Sequence, residues 1–485
     1  MGLAKNFTYK SILNFFSMIM PVVIMPYVYR KLNPESIGYI EYGTTFMTYF
    51  SILGMLGIYN YGLREISKIK NNLREANTTY NSLFFIGLFS NLAALILYIG
   101  FILVTIHDRT LASVMLILGG NLVANIFNTE WLNEAFESFR FITVKTIAIR
   151  LLSIICILLF IHDNSDMYIY AFITVAVLLA NNLASFLYVK RRFRLNISKC
   201  QVRQHLVPLL VVLVLNNTFI LYGNLNRTML GIYTGTDAVA FYSVANKVMA
   251  VIYSSIMVIM YVSYSRLSFL VKNDYEAYKA TLKKIVRVTF CIVCPVSIGL
   301  CMLSPEIIYY FAGKQYLQTA PALQVFSLYM IVTACLSILN HQVMFINGKE
   351  NRSVIFFLIF GVVNMGFNFL LRHNLTPALS ILSTMTAEVL LIVTTLIFVR
   401  KKLGIFSEII NLPNLRYLLI SLLFIPAIYL VKAYVRSGIG IIGLSLPLCG
   451  LIYAAFLYYS RDAVLQLLRD KIREQLPARF HRPDN

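Results

Sequence analysis

Apolar runs of about 20 residues follow one another along the chain, separated by short polar segments that are mostly basic. A run of that length crosses the hydrocarbon core as α-helix, because a helix satisfies its own backbone N–H and C=O groups where no water is present. Fourteen such runs are legible, at residues 9–28, 38–63, 81–106, 111–130, 142–161, 167–189, 206–232, 238–263, 285–303, 320–345, 354–371, 378–399, 415–435 and 439–459. Pro21 and Pro26 predict a kink in the first. The pattern predicts an all-α membrane protein of about fourteen transmembrane helices.

The chain also echoes itself. Thr234–Ala245 (TGTDAVAFYSVA) repeats Leu32–Gly43 (LNPESIGYIEYG), and Arg266 falls on Arg64 in the same register. A slightly longer offset brings Ser327–Ile346 onto Leu116–Ala135 and His373-Asn374 onto His162-Asp163. A period near 200 residues is far too long for a solenoid. It predicts two homologous six-helix lobes, related by an axis along the membrane normal, with the substrate path between them. The expected layout is an N-lobe (1–190), a basic cytoplasmic linker (191–205), a C-lobe (206–400), two further helices (401–460) and a tail (461–485). In the tail, Val464, Leu467, Leu468 and Ile472 recur at helical spacing among Arg469, Lys471 and Arg473. This predicts a basic amphipathic helix on the cytoplasmic leaflet.

Composition agrees: 59% of residues are hydrophobic and only 13% charged, against about 45–50% and about 25% in soluble domains. A net charge of +21 would raise nucleic acid as a partner. The placement of the 42 Lys and Arg excludes it, since most fall in alternate loops, as the positive-inside rule requires of cytoplasmic segments. Both termini are then cytoplasmic. Lys5 and Lys10 precede the first run and no small-residue cleavage site follows, so it reads as an uncleaved span. Six of the seven cysteines lie in apolar runs, and the Cys291–Cys294 pair has no second pair to complete a metal site. Phosphate-loop, HExxH and GxSxG motifs are absent. His107-Asp108 and His162-Asp163 follow apolar runs and read as helix ends, so no metal and no cofactor is expected.

Polar groups inside the runs carry the candidate chemistry. Arg227 and Lys247 flank the turn between the seventh and eighth runs, with Asn224 and Asn226 in a polar stripe on the same run as Arg227. A cation beside hydrocarbon costs about 2.5–3.5 kcal/mol, so it faces protein or a water-filled cavity. Neither run carries a carboxylate to pair with them, which predicts a cavity that receives an anion. Arg64 and Arg266 end equivalent spans on the cytoplasmic side. They read either as snorkelling side chains or as the rim of an inner mouth. Glu130, Arg140, Lys145 and Arg150 crowd the inner ends of the fourth and fifth runs, where mutual pairing and ligand binding are both open. Glu388, mid-span, and Glu41, near the outer end of the second span, are candidates for H⁺ or Na⁺ coupling.

Several motifs resemble those of one family. YGLREI (Tyr61–Ile66) resembles the YGxREI signature of Wzx-type flippases for lipid-linked oligosaccharides, in the polysaccharide branch of the MOP (MATE-like) superfamily. EWLNEAFESFRFI (Glu130–Ile142) is similar to their Trp-containing fourth-span motif. NLNRTMLGIYTGTDAVAFYSVANK (Asn224–Lys247) is similar to their seventh-to-eighth-span motif. AGKQYLQTAPALQVFSL (Ala312–Leu328) and NGKENRS (Asn347–Ser353) extend the likeness over nearly the whole chain. Where members often carry Asp-Lys, this chain has Asn226-Arg227, so the cation is kept and the acid is lost.

The resemblance implies two six-helix lobes around a central cavity that opens alternately to either face of the bacterial cytoplasmic membrane. The implied substrate is an undecaprenyl-diphosphate-linked oligosaccharide repeat unit, used in O-antigen or capsule synthesis. Arg64 and Arg266 would meet the headgroup at the inner mouth, and Arg227 and Lys247 would hold it after the lobes rock. Arg140 and Arg150 would add to the lining. Implied partners are membrane lipids, a polysaccharide polymerase and a chain-length regulator. The rival readings are a peptidoglycan-precursor flippase, a multidrug exporter of the same superfamily and, from another class, a membrane polysaccharide polymerase or ligase.

Overall fold

The computed structural model describes residues 2–197, 200–409 and 412–466. In chain order the helices are α1 (Gly2–Lys31), α2 (Pro34–Met55), α3 (Ile58–Ile69), α4 (Leu73–Thr105), α5 (Arg109–Ile126), α6 (Glu130–Ala135) and α7 (Phe139–Phe160). There follow α8 (Met167–Lys190), α9 (Val202–Tyr233), α10 (Thr236–Asn273), α11 (Tyr275–Met302), α12 (Ser304–Ala312) and α13 (Ala320–Ser337). The last are α14 (Glu350–Leu370), α15 (Pro377–Lys402), α16 (Phe406–Ile409), α17 (Leu412–Ser421), α18 (Phe424–Tyr434) and α19 (Gly438–Tyr459). No strand occurs among the described residues. Most of the expected tail helix, 461–476, lies outside them.

Among the described residues, twelve helical stretches are long and apolar enough to cross a membrane. The second and seventh of the fourteen expected spans, α2 and α9, have the length, 22 and 32 residues, but are not among the twelve. They carry polar groups instead, Glu41 and Thr45 on one and Asn224, Asn226 and Arg227 on the other. The helices show large apolar side chains outward: Leu103, Val104, Val262 and Leu370 are each 74–75% exposed. An outer face of that kind is stable in lipid and not in water. The chain is a multi-pass membrane protein.

Two spans differ in detail from the expected runs. The second breaks after Met55, where Leu56 and Gly57 adopt positive φ (47° and 74°), and α3 starts afresh. Glycine takes that conformation without the Cβ clash other residues meet. The thirteenth breaks into α17 and α18 at Leu422-Leu423. Pro426 follows there and has no N–H to continue the ladder to Leu422. By contrast, α1 runs as one helix through Pro21 and Pro26.

The contacts divide the chain into two units. The first comprises 1–244, 311–316 and 365–380. Its core gathers Trp131 and Leu132 of α6, Ile58, Tyr61 and Ile66 of α3, and Tyr80 and Leu83 of α4. Gly62 leaves the space that the Trp131 ring fills, since a Cβ there would lie 2.6 Å from it. This accounts physically for two of the motifs, YGLREI and the one around Trp131. The 311–316 segment is tied to the end of α1: Gln315 Nε2 donates to the carbonyls of Tyr29 (2.6 Å) and Leu32 (3.1 Å), and the Tyr316 hydroxyl to that of Leu32 (2.9 Å). Those carbonyls end a helix and have no partner within it.

The second unit comprises 245–310, 317–364 and 381–485. Met260, Leu267, Tyr278, Leu282, Leu339, Val343, Leu396 and Val399 form its main core. Residues Ile338–Phe345 are π-helical. In the adjoining NGKENRS motif, Asn347 Nδ2 donates to the Tyr278 hydroxyl (3.0 Å) and Ser353 Oγ to Asn340 Oδ1. That motif is therefore a structural knot. An apolar cavity of about 400 Å³ lies between α11, α18 and α19, lined by residues that include Leu300, Phe424, Ile428 and Cys449.

Candidate functional site

The charged centre of the first unit is made where α9 approaches α2. Gly231 permits the approach, because a Cβ there would lie 2.1 Å from the Tyr42 ring. Two turns away, the hydroxyls of Tyr49 and Thr228 meet at 2.8 Å and hold the same helix pair together. Gly231→Ala is expected to destabilise the protein by about 1–3 kcal/mol through overpacking. An unchanged unfolding midpoint in detergent would contradict this contact.

Next to those fixtures in sequence stand Arg227 and Glu41. Their nearest N–O distance is 3.8 Å, and the side chains are 16% and 11% exposed. This corrects the expectation that no carboxylate faces Arg227. The acid missing from position 226 is supplied in space by α2, which the sequence register of α9 alone does not reveal. The pair is loose: 3.8 Å is an ionic contact and too long for a hydrogen bond. Arg227 Nε is buried with no acceptor, and the guanidinium makes no hydrogen bond among the described residues. A guanidinium has five N–H donors in a planar fork, and this one is held nearly dry with its donors unused.

Asn226, next in sequence, points to a different environment. Its Nδ2 donates to the Tyr242 hydroxyl (3.2 Å), and its Oδ1 accepts from Asn368 Nδ2 (3.2 Å). The Ser380 hydroxyl donates in turn to Asn368 Oδ1 (3.0 Å). Asn226 thus anchors a buried polar chain, and its neighbour carries the available charge. Asn224 is buried on the same helix, its carbonyl accepting from the Thr228 hydroxyl (3.2 Å).

The basic cluster at the ends of α6 and α7 resolves into separate roles. Lys145 is buried, and its ammonium donates to Glu130 Oε2 (2.5 Å), Ser185 Oγ (2.7 Å) and the Asn181 carbonyl (3.2 Å). All three donors are engaged, so mutual pairing is the outcome for Lys145. Arg150 is half-buried with no ion pair or hydrogen bond among the described residues, and Arg140 is exposed. Arg64 lies on α3, 56% exposed, with Nε 2.9 Å from Glu65 and the guanidinium 5.5 Å from the Tyr61 ring.

The remaining candidates belong to the second unit. Lys247 is half-buried on α10, and Arg266, further along the same helix, is exposed. Glu388 on α15 is 4% exposed. The Tyr329 hydroxyl donates to its Oε1 (2.8 Å), its Oε2 has no partner, and no cation among the described residues pairs with it. Back in the first unit, Asp108 and Asp163 cap helix starts: Asp108 Oδ1 accepts from the Thr110 (2.7 Å) and Leu111 (3.2 Å) N–H groups, and Asp163 from that of Ser165 (2.8 Å). No group of three metal-ligating side chains occurs among the described residues.

Sequence reasoning missed His205, whose Nδ1 meets the Tyr61 hydroxyl at 2.8 Å. It also missed Asn368. Neither lies in a motif quoted above, and their roles rest on contacts far along the chain.

The fold is shared with solved transporters. Superposition on "Lipid II flippase MurJ, inward closed conformation" gives a TM-score of 0.74 at 16% identity, covering 94% of this chain and 99% of that one. A multidrug resistance MATE family transporter of the MOP superfamily, outward-facing, gives 0.52 at 15% identity over 82% and 97%. The molecule is thus a polytopic α-helical membrane protein of the MurJ and MATE fold. The sequence profile of the polysaccharide biosynthesis protein family matches residues 3–270, more than half of the chain, and the chain belongs to that family. Two relatives are each described as "Putative O-antigen transporter". The one from Escherichia coli (strain K12) is 23% identical over 51% of this chain, and the match spans 60% of its own length. The one from Shigella dysenteriae is 22% identical over 77% of this chain and 94% of its own length.

Proposed function

We propose that the protein is a flippase, not an enzyme. It moves undecaprenyl-diphosphate-linked oligosaccharide units from the inner to the outer leaflet of the bacterial cytoplasmic membrane by alternating access. Family membership and the two transporter relatives support the class. The observation that carries the substrate chemistry is Arg227, a half-buried guanidinium with unused donors and one loose counter-ion. An ion pair at about 4 Å attracts by about 4 kcal/mol at an effective dielectric of about 20. A diphosphate brings more charge than one carboxylate and acceptors that fit the guanidinium fork. It can therefore displace Glu41, which keeps Arg227 neutralised between turnovers. Lys247 is assigned the second contact, and Arg64, Arg266, Arg140 and Arg150 the path to the site.

Of the two acids, Glu388 is the better candidate for coupling. Glu41 is occupied with a cation, and Glu388 pairs with none among the described residues. Glu388→Gln is expected to leave downhill transport intact and to remove its response to imposed H⁺ or Na⁺ gradients in proteoliposomes. A variant that still responds would exclude this acid.

A second reading, a peptidoglycan-precursor flippase, is favoured by the fold likeness to MurJ. Deleting the gene separates the possibilities. Loss of the oligosaccharide flippase strands single repeat units on the inner leaflet while wall growth continues. Loss of a peptidoglycan-precursor flippase stops wall growth. Loss of a polymerase lets single units reach the surface.

A further inference from the structure

A second place built to receive an anion lies in the first unit, away from Arg227. Leu132, Asn133, Phe136, Ser138, Arg191 and Arg192 line part of a pocket of about 280 Å³. It sits where α6 ends, α7 begins and α8 stops.

Three independent features give it positive character. First, Arg191 and Arg192 are exposed and form no ion pair among the described residues. The Arg192 guanidinium sits over the Phe136 ring, 4.3 Å from its centroid, a cation–π contact that leaves its N–H donors for other partners. Second, the pocket is lined by Ser138, the residue that precedes α7, a helix of 22 residues. Its N-cap residue, Ser138, makes no side-chain capping bond, so the first-turn N–H groups and the positive end of the helix dipole remain available. Third, Asn133 is 3% exposed and its Nδ2 has no hydrogen-bond partner. A buried unpaired amide of this kind is costly unless a ligand or water accepts from it.

The nearest carboxylates do not oppose this charge, because they are engaged elsewhere. Lys70 Nζ bonds Glu137 at 2.8 Å and holds its carboxyl below the usual carboxylate range. Glu134 accepts from Lys10 (3.2 Å) and from the Tyr59 hydroxyl (2.9 Å).

We propose that this pocket binds the phosphodiester headgroup of an anionic membrane phospholipid, with Arg191, Arg192, Ser138 and the first turn of α7 as its ligands. A lipid is favoured over a free phosphate by what stands alongside. Leu183 and Leu187 on the last turns of α8 and Val144 on α7 are 37%, 52% and 59% exposed. They offer acyl chains an apolar surface leading to the pocket. Basic pockets at the ends of membrane helices are general sites for such headgroups. The proposal does not rest on the flippase reading and would survive its failure.

The test uses the purified full chain in a non-ionic detergent. Native mass spectrometry and the fluorescence of Trp131, the single tryptophan, would follow titration with short-chain phosphatidylglycerol, phosphatidylcholine or inorganic phosphate. Trp131 lies two residues from Asn133. Saturable binding of phosphatidylglycerol, with neither of the other two competing, is expected. The exposed pair Arg191→Gln/Arg192→Gln should weaken it about 30-fold, at about 1 kcal/mol per cation near a membrane surface. The control pair Lys190→Gln/Arg194→Gln, outside the pocket, should weaken it far less. Equal loss in both double variants would show a diffuse basic patch and overturn the site. Equal affinity for inorganic phosphate or phosphatidylcholine would overturn the lipid assignment.

Discussion

Arg227→Ala should abolish export of the lipid-linked saccharide while the protein stays folded in the membrane. Truncating one partner of a desolvated charge pair costs about 2–5 kcal/mol, so a loss of at least about 30-fold in transport rate is expected. The variant removes the cation that meets Glu41 at 3.8 Å and leaves the helix pair joined by Tyr49 and Thr228. Arg227→Lys keeps the charge and loses the fork, and should retain a small fraction of the rate. Glu41→Gln frees Arg227 from its counter-ion. It should bind the diphosphate more tightly and release it more slowly. Surface polysaccharide, quantified against membrane-extracted protein, measures all three.

Lys145→Ala should have the largest effect on stability. It removes the ammonium that Glu130, Ser185 and Asn181 share, and leaves Glu130 without its cation. Breaking a buried pair from one side costs about 3–5 kcal/mol, whereas replacing both partners by apolar residues is often near neutral. Little folded Lys145→Ala protein should therefore be recovered. Lys145→Met/Glu130→Leu should restore much of it, read by size-exclusion chromatography in detergent. Equal loss in the single and double variants would show that the two residues act separately.

The contrast between Arg227 and Lys145 shows what a sequence can and cannot convey here. Both are cations within apolar runs, and composition treats them alike. Lys145 is satisfied by groups on two other elements, α6 and α8, so it works for the fold. Arg227 meets one acid at the limit of ionic contact. That difference depends on which helices pack together, and helical periodicity carries no information about neighbours. The helices themselves were legible, because lipid demands long apolar runs and leaves few alternatives. Local breaks were less so. Leu56-Gly57 lies inside an apolar run, and only its positive φ values end α2 there. Glu41 and Asn226 illustrate the same limit at the site. The acid absent beside Arg227 in sequence is restored from α2, and the asparagine in its place turns away to Tyr242 and Asn368.

The central claim is that Arg227 exchanges Glu41 for a lipid-borne diphosphate during transport. Its most direct test is translocation of a fluorescent undecaprenyl-diphosphate oligosaccharide in proteoliposomes, comparing wild type with Arg227→Ala at equal reconstitution. The account predicts rapid loss of accessible label with the wild type and a rate near that of protein-free vesicles with the variant. Equal rates for the two proteins would contradict it.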